Sequence, residues 1–195
     1  MGITTGISLL QKPMNSIIHI YGASGSGTST LAEYVSEKMG YAWMDTDDYY
    51  WLPTNPMYTT KRPPAERIAR MKQDISRFGS VVISGSLVDW GDELISSFTL
   101  AVRVVTDTTI RLDRIRRREY EKFGPRIETG GDMHQHHLDF LNWAAGYDDG
   151  DLDTRSRMKH DRWQQKLSCP LLILDGSASL ETNFELIQKA VLNRF

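Results

Sequence analysis

Cysteine is nearly absent from this chain: Cys169 is the only one in 195 residues. A single thiol cannot close an internal disulfide or form a metal-type cysteine pair, so a disulfide framework and a cysteine-based zinc site are both excluded. A reducing, cytoplasmic setting is therefore expected, with Cys169 a small packed residue ahead of a strand. No apolar run approaches the roughly 18–20 residues of a membrane span, and no membrane partner is expected. The opening Met1-Gly2-Ile3-Thr4-Thr5-Gly6 lacks the basic stretch of a secretion signal. Gly6 also stands where a myristoylation site needs Ser or Thr, so residues 1–14 read as a loosely held leader. Net charge is scarce as well, 23 Lys+Arg against 25 Asp+Glu leaving −2. That balance provides no general pull toward nucleic acid, so any anion site must come from local arrangement. Internal repeats, low-complexity tracts and obvious linkers are missing too.

What is present is an ordinary globular composition, 40% apolar and 25% charged. The length suits one domain, read as residues 15–195. Short β-branched or apolar runs at Ser16–Tyr21, Tyr41–Met44, Val81–Ser84, Leu100–Val105 and Leu171–Leu174 read as strands. Between them lie amphipathic stretches. Thr28–Met39 sets Leu31, Val35 and Met39 on one helical face and stops at Gly40. Ala65–Phe78 follows a Pro-Pro start and repeats Ile68, Met71, Ile75 and Phe78 at helical spacing. Val88–Phe98 reads as a short helix, and Asp107–Phe123 as an arginine-rich one capped by Thr106 or Asp107. Met133–Ala145, Ser156–Leu167 and Leu180–Leu192 complete the set. Strands separated by helices predict an α/β fold, a three-layer α/β/α sandwich around a five-stranded parallel sheet.

The strongest chemical signal is Gly22-Ala23-Ser24-Gly25-Ser26-Gly27-Thr28-Ser29-Thr30, set between the first strand and the first helix. That is the context of a phosphate-binding P-loop. Glycines allow positive φ and let backbone N–H groups converge on phosphate oxygens, and the helix N-terminus favours the same anion. Ser29 occupies the hydroxyl position that ligates Mg²⁺. One position departs from the standard pattern: Thr28 stands where lysine reaches the β- and γ-phosphates. Losing one charge-assisted contact costs about 1.5–3 kcal/mol, which bears more on catalysis than on binding.

With this loop, the strand spacing and the arginine helix together, residues 15–195 resemble the P-loop small-molecule kinases, including adenylate, shikimate, gluconate and uridine-kinase-like enzymes. The resemblance is nearest to adenylate-kinase-like ATP-binding proteins whose loop reads GSGT rather than GSGK. It implies ATP and Mg²⁺ as cofactors, with loop residues Gly22–Thr30 as the nucleotide cradle and Ser29 and Asp45 holding Mg²⁺, the latter through water. In Asp45-Thr46-Asp47-Asp48-Tyr49-Tyr50, either Asp45 or Asp47 would orient or deprotonate the acceptor. The resemblance lays Arg114 on the nucleobase, puts Arg118 on phosphate, and sets Gly176 and Ser177 of the Asp175–Ala178 loop against the base. Residues 51–78 fall where these kinases carry an acceptor-binding insert, where Lys61 and Arg62 would meet an acidic acceptor, and Gly85-Ser86 with Asp89 and Trp90 line the same crevice. Residues 123–157 fall where they carry a lid that closes over phosphate. Arg157 matches the lid-side arginine, Arg126 is a second candidate, and both are expected to serve catalysis with Arg118.

His134, His136 and His137 lack a fourth ligand at metal spacing and read as a solvated or lid-contacting cluster; Phe140, Leu141 and Trp143 read as packing. The implied function is ATP-dependent phosphoryl transfer to a small molecule, first a nucleoside or nucleotide, second a shikimate- or gluconate-type metabolite. The rival reading is a nucleotide-binding sensor that has lost transfer. The partner is the small-molecule acceptor, without nucleic acid, for a monomer or homodimer.

Overall fold

The computed structural model describes residues 15–55 and 57–193; the leader assigned to residues 1–14 lies outside them. The strands are β1 (Ile17–Gly22), β2 (Ala42–Asp45), β3 (Val81–Ser84), β4 (Leu100–Val105) and β5 (Leu171–Asp175). The helices are α1 (Thr28–Met39), α2 (Thr46–Tyr50), α3 (Pro64–Phe78), α4 (Thr108–Phe123), α5 (His134–Ala145), α6 (Arg157–Gln164) and α7 (Leu180–Leu192). The five strands form one sheet in the order β2-β3-β1-β4-β5. Every pairing is parallel, with Ile18 opposite Val82 on one side and Leu100 on the other. The expected α/β sandwich is what the chain adopts.

Strand alternation sorts the core into two halves. From β1, Ile18 and Ile20 join Leu31, Val35, Val102, Val104, Phe184 and Ile187 beneath α1 and α7. Ile17 and Tyr21 point the other way, toward Ile68 and Met71 of α3, Leu94 and Phe98, and Trp163 of α6. Half-buried Cys169 packs against this second cluster, as its expected role requires. The α6 side stops short of the sheet edge. Val105 and Ile173 lie 47% and 59% exposed there, and β5 has β4 as its single sheet neighbour.

Several local expectations need correction or completion. Val88–Phe98 is no continuous helix but a 3₁₀ turn at Asp92–Ser97, because Asp89 takes a left-handed φ of 73°, which an α-helix does not accommodate. The carboxylate run after β2, given no element from sequence, makes one helical turn at Thr46–Tyr50, capped by Asp45, whose side chain accepts from the Asp47 amide. The helix expected over Ser156–Leu167 is shorter; Ser156 is its cap and it ends at Gln164. Asp107, rather than Thr106, caps α4. No helix among the described residues is long and apolar enough to cross a membrane.

Candidate nucleotide and phosphoryl-transfer site

The glycine-rich loop follows β1 and leads into α1, at the carboxyl end of the sheet where ligands bind in such folds. Its backbone passes through the left-handed region at Gly25 (φ 79°) and Gly27 (φ 96°), a path that turns successive amides toward one side. Gly25 also lies against α4, where a Cβ would stand 2.4 Å from the Arg111 carbonyl oxygen. Gly27 occupies the cap of α1 without any side-chain cap, so no side chain competes for the first helical amides. The Ser26 hydroxyl is buried without a hydrogen-bond partner among the described residues. An orphaned hydroxyl inside a loop of this shape fits an anion bound there. Thr30 is exposed on α1.

Beside the loop, the Ser29 hydroxyl donates to Asp45 Oδ2 at 2.7 Å. Ser84 Oγ, at the end of β3, donates to the same oxygen at 2.9 Å, and the Asp47 amide to Asp45 Oδ1 at 3.0 Å. A hydroxyl and a carboxylate oxygen this close form the hard-oxygen pair that Mg²⁺ uses when phosphates and waters complete its shell. Among the described residues there is no cluster of three His, Cys, Asp or Glu that would make a protein-only metal cage. Asp47 faces the same recess. Solvent reaches it, yet enough protein surrounds it that desolvation, then the Asp45 charge, pushes its carboxyl above the usual range, while Arg155 and Arg118 pull it down.

On the opposite flank, Arg114 ties the expected base-side loop to the glycine-rich loop: Nη2 donates to the Gly176 carbonyl (3.0 Å) and Nη1 to that of Ser26 (3.4 Å). Thr106 Oγ1 also donates to the Ser26 carbonyl, at 3.1 Å. A Cβ on Gly176 would stand 2.0 Å from Thr106 Oγ1 and 2.5 Å from that same carbonyl, so glycine is what allows the β5–α7 loop to meet the P-loop. Ser177 turns its hydroxyl and amide to Asp175 Oδ1.

The arginines divide by what their donors already bind. Arg111 is wholly buried; it bonds the carbonyls of Thr106, Ser24 and Ala144 and the Asp148 carboxylate, and so ties the loop to α5. Arg116 and Arg117 pair with Asp113 and Glu121 on an exposed face. Arg118 has no hydrogen bond among the described residues and bears on Asp47 electrostatically. Of the lid candidates, Arg126 gives Nε and Nη2 to Asp132, and Arg157 gives the same two groups to Asp148. Neither donates a hydrogen bond to the loop, although Arg157 lines a cavity together with Ala23. The side chain that does bond the loop is Arg155, two residues before Arg157: Nη2 donates to Ser24 Oγ and the guanidinium lies 4.5 Å from the Trp143 ring centre. No residue spacing marked Arg155, because it precedes a helix cap and its placement is tertiary.

Other expectations are also redrawn. Arg62 is buried and donates to the Tyr49 and Trp51 carbonyls, so it staples the 51–78 segment instead of facing an acceptor. Lys61 lies over Tyr50. Arg67, a further cation of the 51–78 segment, lies 3.8 Å over the same ring and near Trp90. Ser86 is buried against His160 Nε2 at 3.1 Å, and His160 Nδ1 meets the Tyr147 hydroxyl at 2.7 Å. His137 is not solvated: it is buried against Glu119 at 2.6 Å. His134 bonds the Ile127 carbonyl, and only His136 of the three is exposed.

The parallel sheet and the loop on its first strand define a P-loop protein of the small-molecule-kinase-like group. More particularly, the chain belongs to the AAA-domain family, which matches residues 18–136. It is 38% identical over 167 residues to the uncharacterized protein YqaC of Bacillus subtilis, covering 86% of this chain and 92% of that one. A 113-residue stretch is 27% identical to the cytidylate kinase of Archaeoglobus fulgidus, covering 52% and 61% of the two chains. Among solved structures, a shikimate kinase from Acinetobacter baumannii superposes with a TM-score of 0.55 at 13% identity, over 92% of this chain and 94% of that one.

Proposed function

We propose that the chain binds Mg·ATP through the Gly22–Ser29 loop and transfers its terminal phosphoryl group to a small hydroxyl-bearing acceptor, foremost a nucleoside or nucleotide. The observation that carries this reading is the Ser29–Asp45 contact at 2.7 Å beside a loop whose Ser26 hydroxyl is buried and unpaired. The resemblance to a cytidylate kinase supports the acceptor class. Mg²⁺ would neutralise charge on the polyphosphate oxygens.

The chain's own part is positioning and electrostatics. The loop amides and Ser26 hold phosphate, Ser29 and Asp45 orient the cation, and Arg114 with Gly176 shapes the base side. Asp47, whose basicity is raised by its surroundings, accepts the acceptor proton. Arg118 stands by to screen charge near Asp47. Residues 51–78 form the acceptor side, and residues 123–157 the cover. Thr28 favours a second reading, a module that binds nucleotide without transferring phosphate.

Titration calorimetry with Mg·ATP, followed by a coupled ADP-release assay over a panel of nucleosides, nucleotides and polyol acids, tests both. Acceptor-stimulated ADP release supports transfer. Binding with no acceptor-stimulated release supports the module, and no binding of ATP or GTP ends the nucleotide reading. Asp45→Asn is expected to weaken the magnesium-dependent part of ATP affinity by about tenfold or more, the scale of one charge-assisted contact, while leaving magnesium-free binding near its original level.

A further inference from the structure

A polyphosphate seated in this loop would face two carboxylates, Asp45 and Asp47, with no cation supplied by the loop itself, since Thr28 takes the lysine position. We propose that Arg155, reaching over from the segment that precedes α6, supplies the positive charge the loop lacks, so that this site carries its essential cation on the opposite wall of the cleft. The inference rests on the nucleotide reading above and adds to it a specific residue that the resemblance did not select.

Elimination narrows the choice first. Arg111 spends its donors on three carbonyls, Thr108 and Asp148. Arg114 spends its two Nη groups on Ser26 and Gly176. Arg126 and Arg157 are held by Asp132 and Asp148. Arg118 and Arg155 remain. Of these, Arg155 bonds the loop directly, at the Ser24 hydroxyl, and Arg118 has no hydrogen bond to it.

The state of Arg155 also fits a group set up for an anion. Its Nε is buried and lacks a hydrogen-bond partner among the described residues, a donor that costs free energy until something accepts it. Among the described residues no carboxylate forms a salt bridge with it, in contrast to the pairs that hold Arg126 and Arg157. Stacking on Trp143 fixes the plane of the guanidinium without consuming a donor. Burial acts to deprotonate it and Asp47 is the leading opposing influence, so a phosphate dianion at Ser24 would relieve a cation that is short of partners. A guanidinium can bridge two phosphate oxygens where a lysine would make one point contact.

Reciprocity between positions 155 and 28 is the test. In calorimetry with Mg·ATP, Arg155→Ala is expected to weaken binding by about ten- to hundredfold. Thr28→Lys is expected to raise affinity much more in the Arg155→Ala background, where it restores most of the loss, than in the parent chain, where the charge is already supplied. Such non-additivity reports a shared role. Arg155→Lys, which keeps the charge and loses the fork, is expected to fall between the two, and melting curves of all variants without nucleotide show whether each still folds. Equal ATP affinity of Arg155→Ala and the parent overturns the proposal, as does an equal gain from Thr28→Lys in both backgrounds. Rescue by Thr28→Lys of Arg118→Ala instead of Arg155→Ala overturns it in favour of α4. If the parent itself binds no ATP, the nucleotide reading falls and this inference with it, a result distinct from intact binding that ignores Arg155.

Discussion

Beneath β1, two imidazoles lie where water does not reach. His19, at the centre of the strand, is fully buried, bonds the Gly85 carbonyl at 2.9 Å and stacks on Tyr21. Burial draws its pKa down to about 4 against the opposing effect of that carbonyl. His160 sits between Ser86 and Tyr147, and burial first, then Arg155, Arg103 and His19, draws it down to about 2. Both are neutral in the folded chain, whereas an unfolded histidine titrates near 6.5. The unfolded state therefore binds more protons below that value, so the stabilising contribution is complete above pH 6.5 and is lost as pH falls through about 4 toward about 2. Melting temperature measured from pH 7.5 to 4 should drop with acid. His19→Gln should flatten that slope even though it lowers stability at neutral pH; an unchanged slope would contradict the assignment. At this scale the sequence spoke clearly where backbone geometry demands a residue type, as at Gly25 and Gly27. It was silent where burial confers the role. Arg111 and Arg118 share one arginine-rich helix, yet one is an internal tie and the other is unbonded among the described residues, and Arg157, the lid-side arginine of the resemblance, is held by Asp148 while tertiary packing sets Arg155 against Ser24.

The elements hold the site through close backbone approaches. Where β5 turns into α7, Gly176 packs on the P-loop with no room for a methyl group: the added Cβ would meet Thr106 Oγ1 at 2.0 Å and the Ser26 carbonyl at 2.5 Å. Gly176→Ala must push these two loops apart. It is expected to cost about 1–3 kcal/mol, the usual penalty of overpacking, and to weaken ATP binding as well. Gly40→Ala makes the useful comparison, since nothing lies within 4 Å of its Cβ and only its φ of +66° is strained. That change should lower the melting temperature and leave ATP affinity alone. Parallel calorimetric and thermal measurements on the two variants separate the effects. Helices with a strong apolar stripe, α1, α3 and α7, were legible to within a residue or two. The turn at Asp92–Ser97 was not, because apolar spacing over so few residues fits a 3₁₀ turn as well as an α-helix. The one-turn helix α2 was not legible because its five residues are too few to show a helical period.

For the molecule as a whole, the class of fold followed from strands alternating with helices, whereas the order β2-β3-β1-β4-β5 did not, since apolar runs carry no record of their neighbours. That order makes β5 an outer strand. It leans on β4 alone, and Ile173 at its middle is 59% exposed. Yet β5 delivers Gly176 to Arg114 and the P-loop. The proposed base side of the site is thus borne by an edge strand, and its amide protons should exchange with deuterium sooner than those of β1 or β3. A bound nucleotide would have to be released before that strand could peel away, so ligand binding should be written into its exchange rates. At ATP a hundredfold above its dissociation constant, opening becomes about 2.7 kcal/mol harder, and deuterium uptake across Leu171–Asp175 should slow by about two orders of magnitude. If β5 exchanged at the same rate with and without bound ATP, the outermost strand would be no part of the grip on nucleotide.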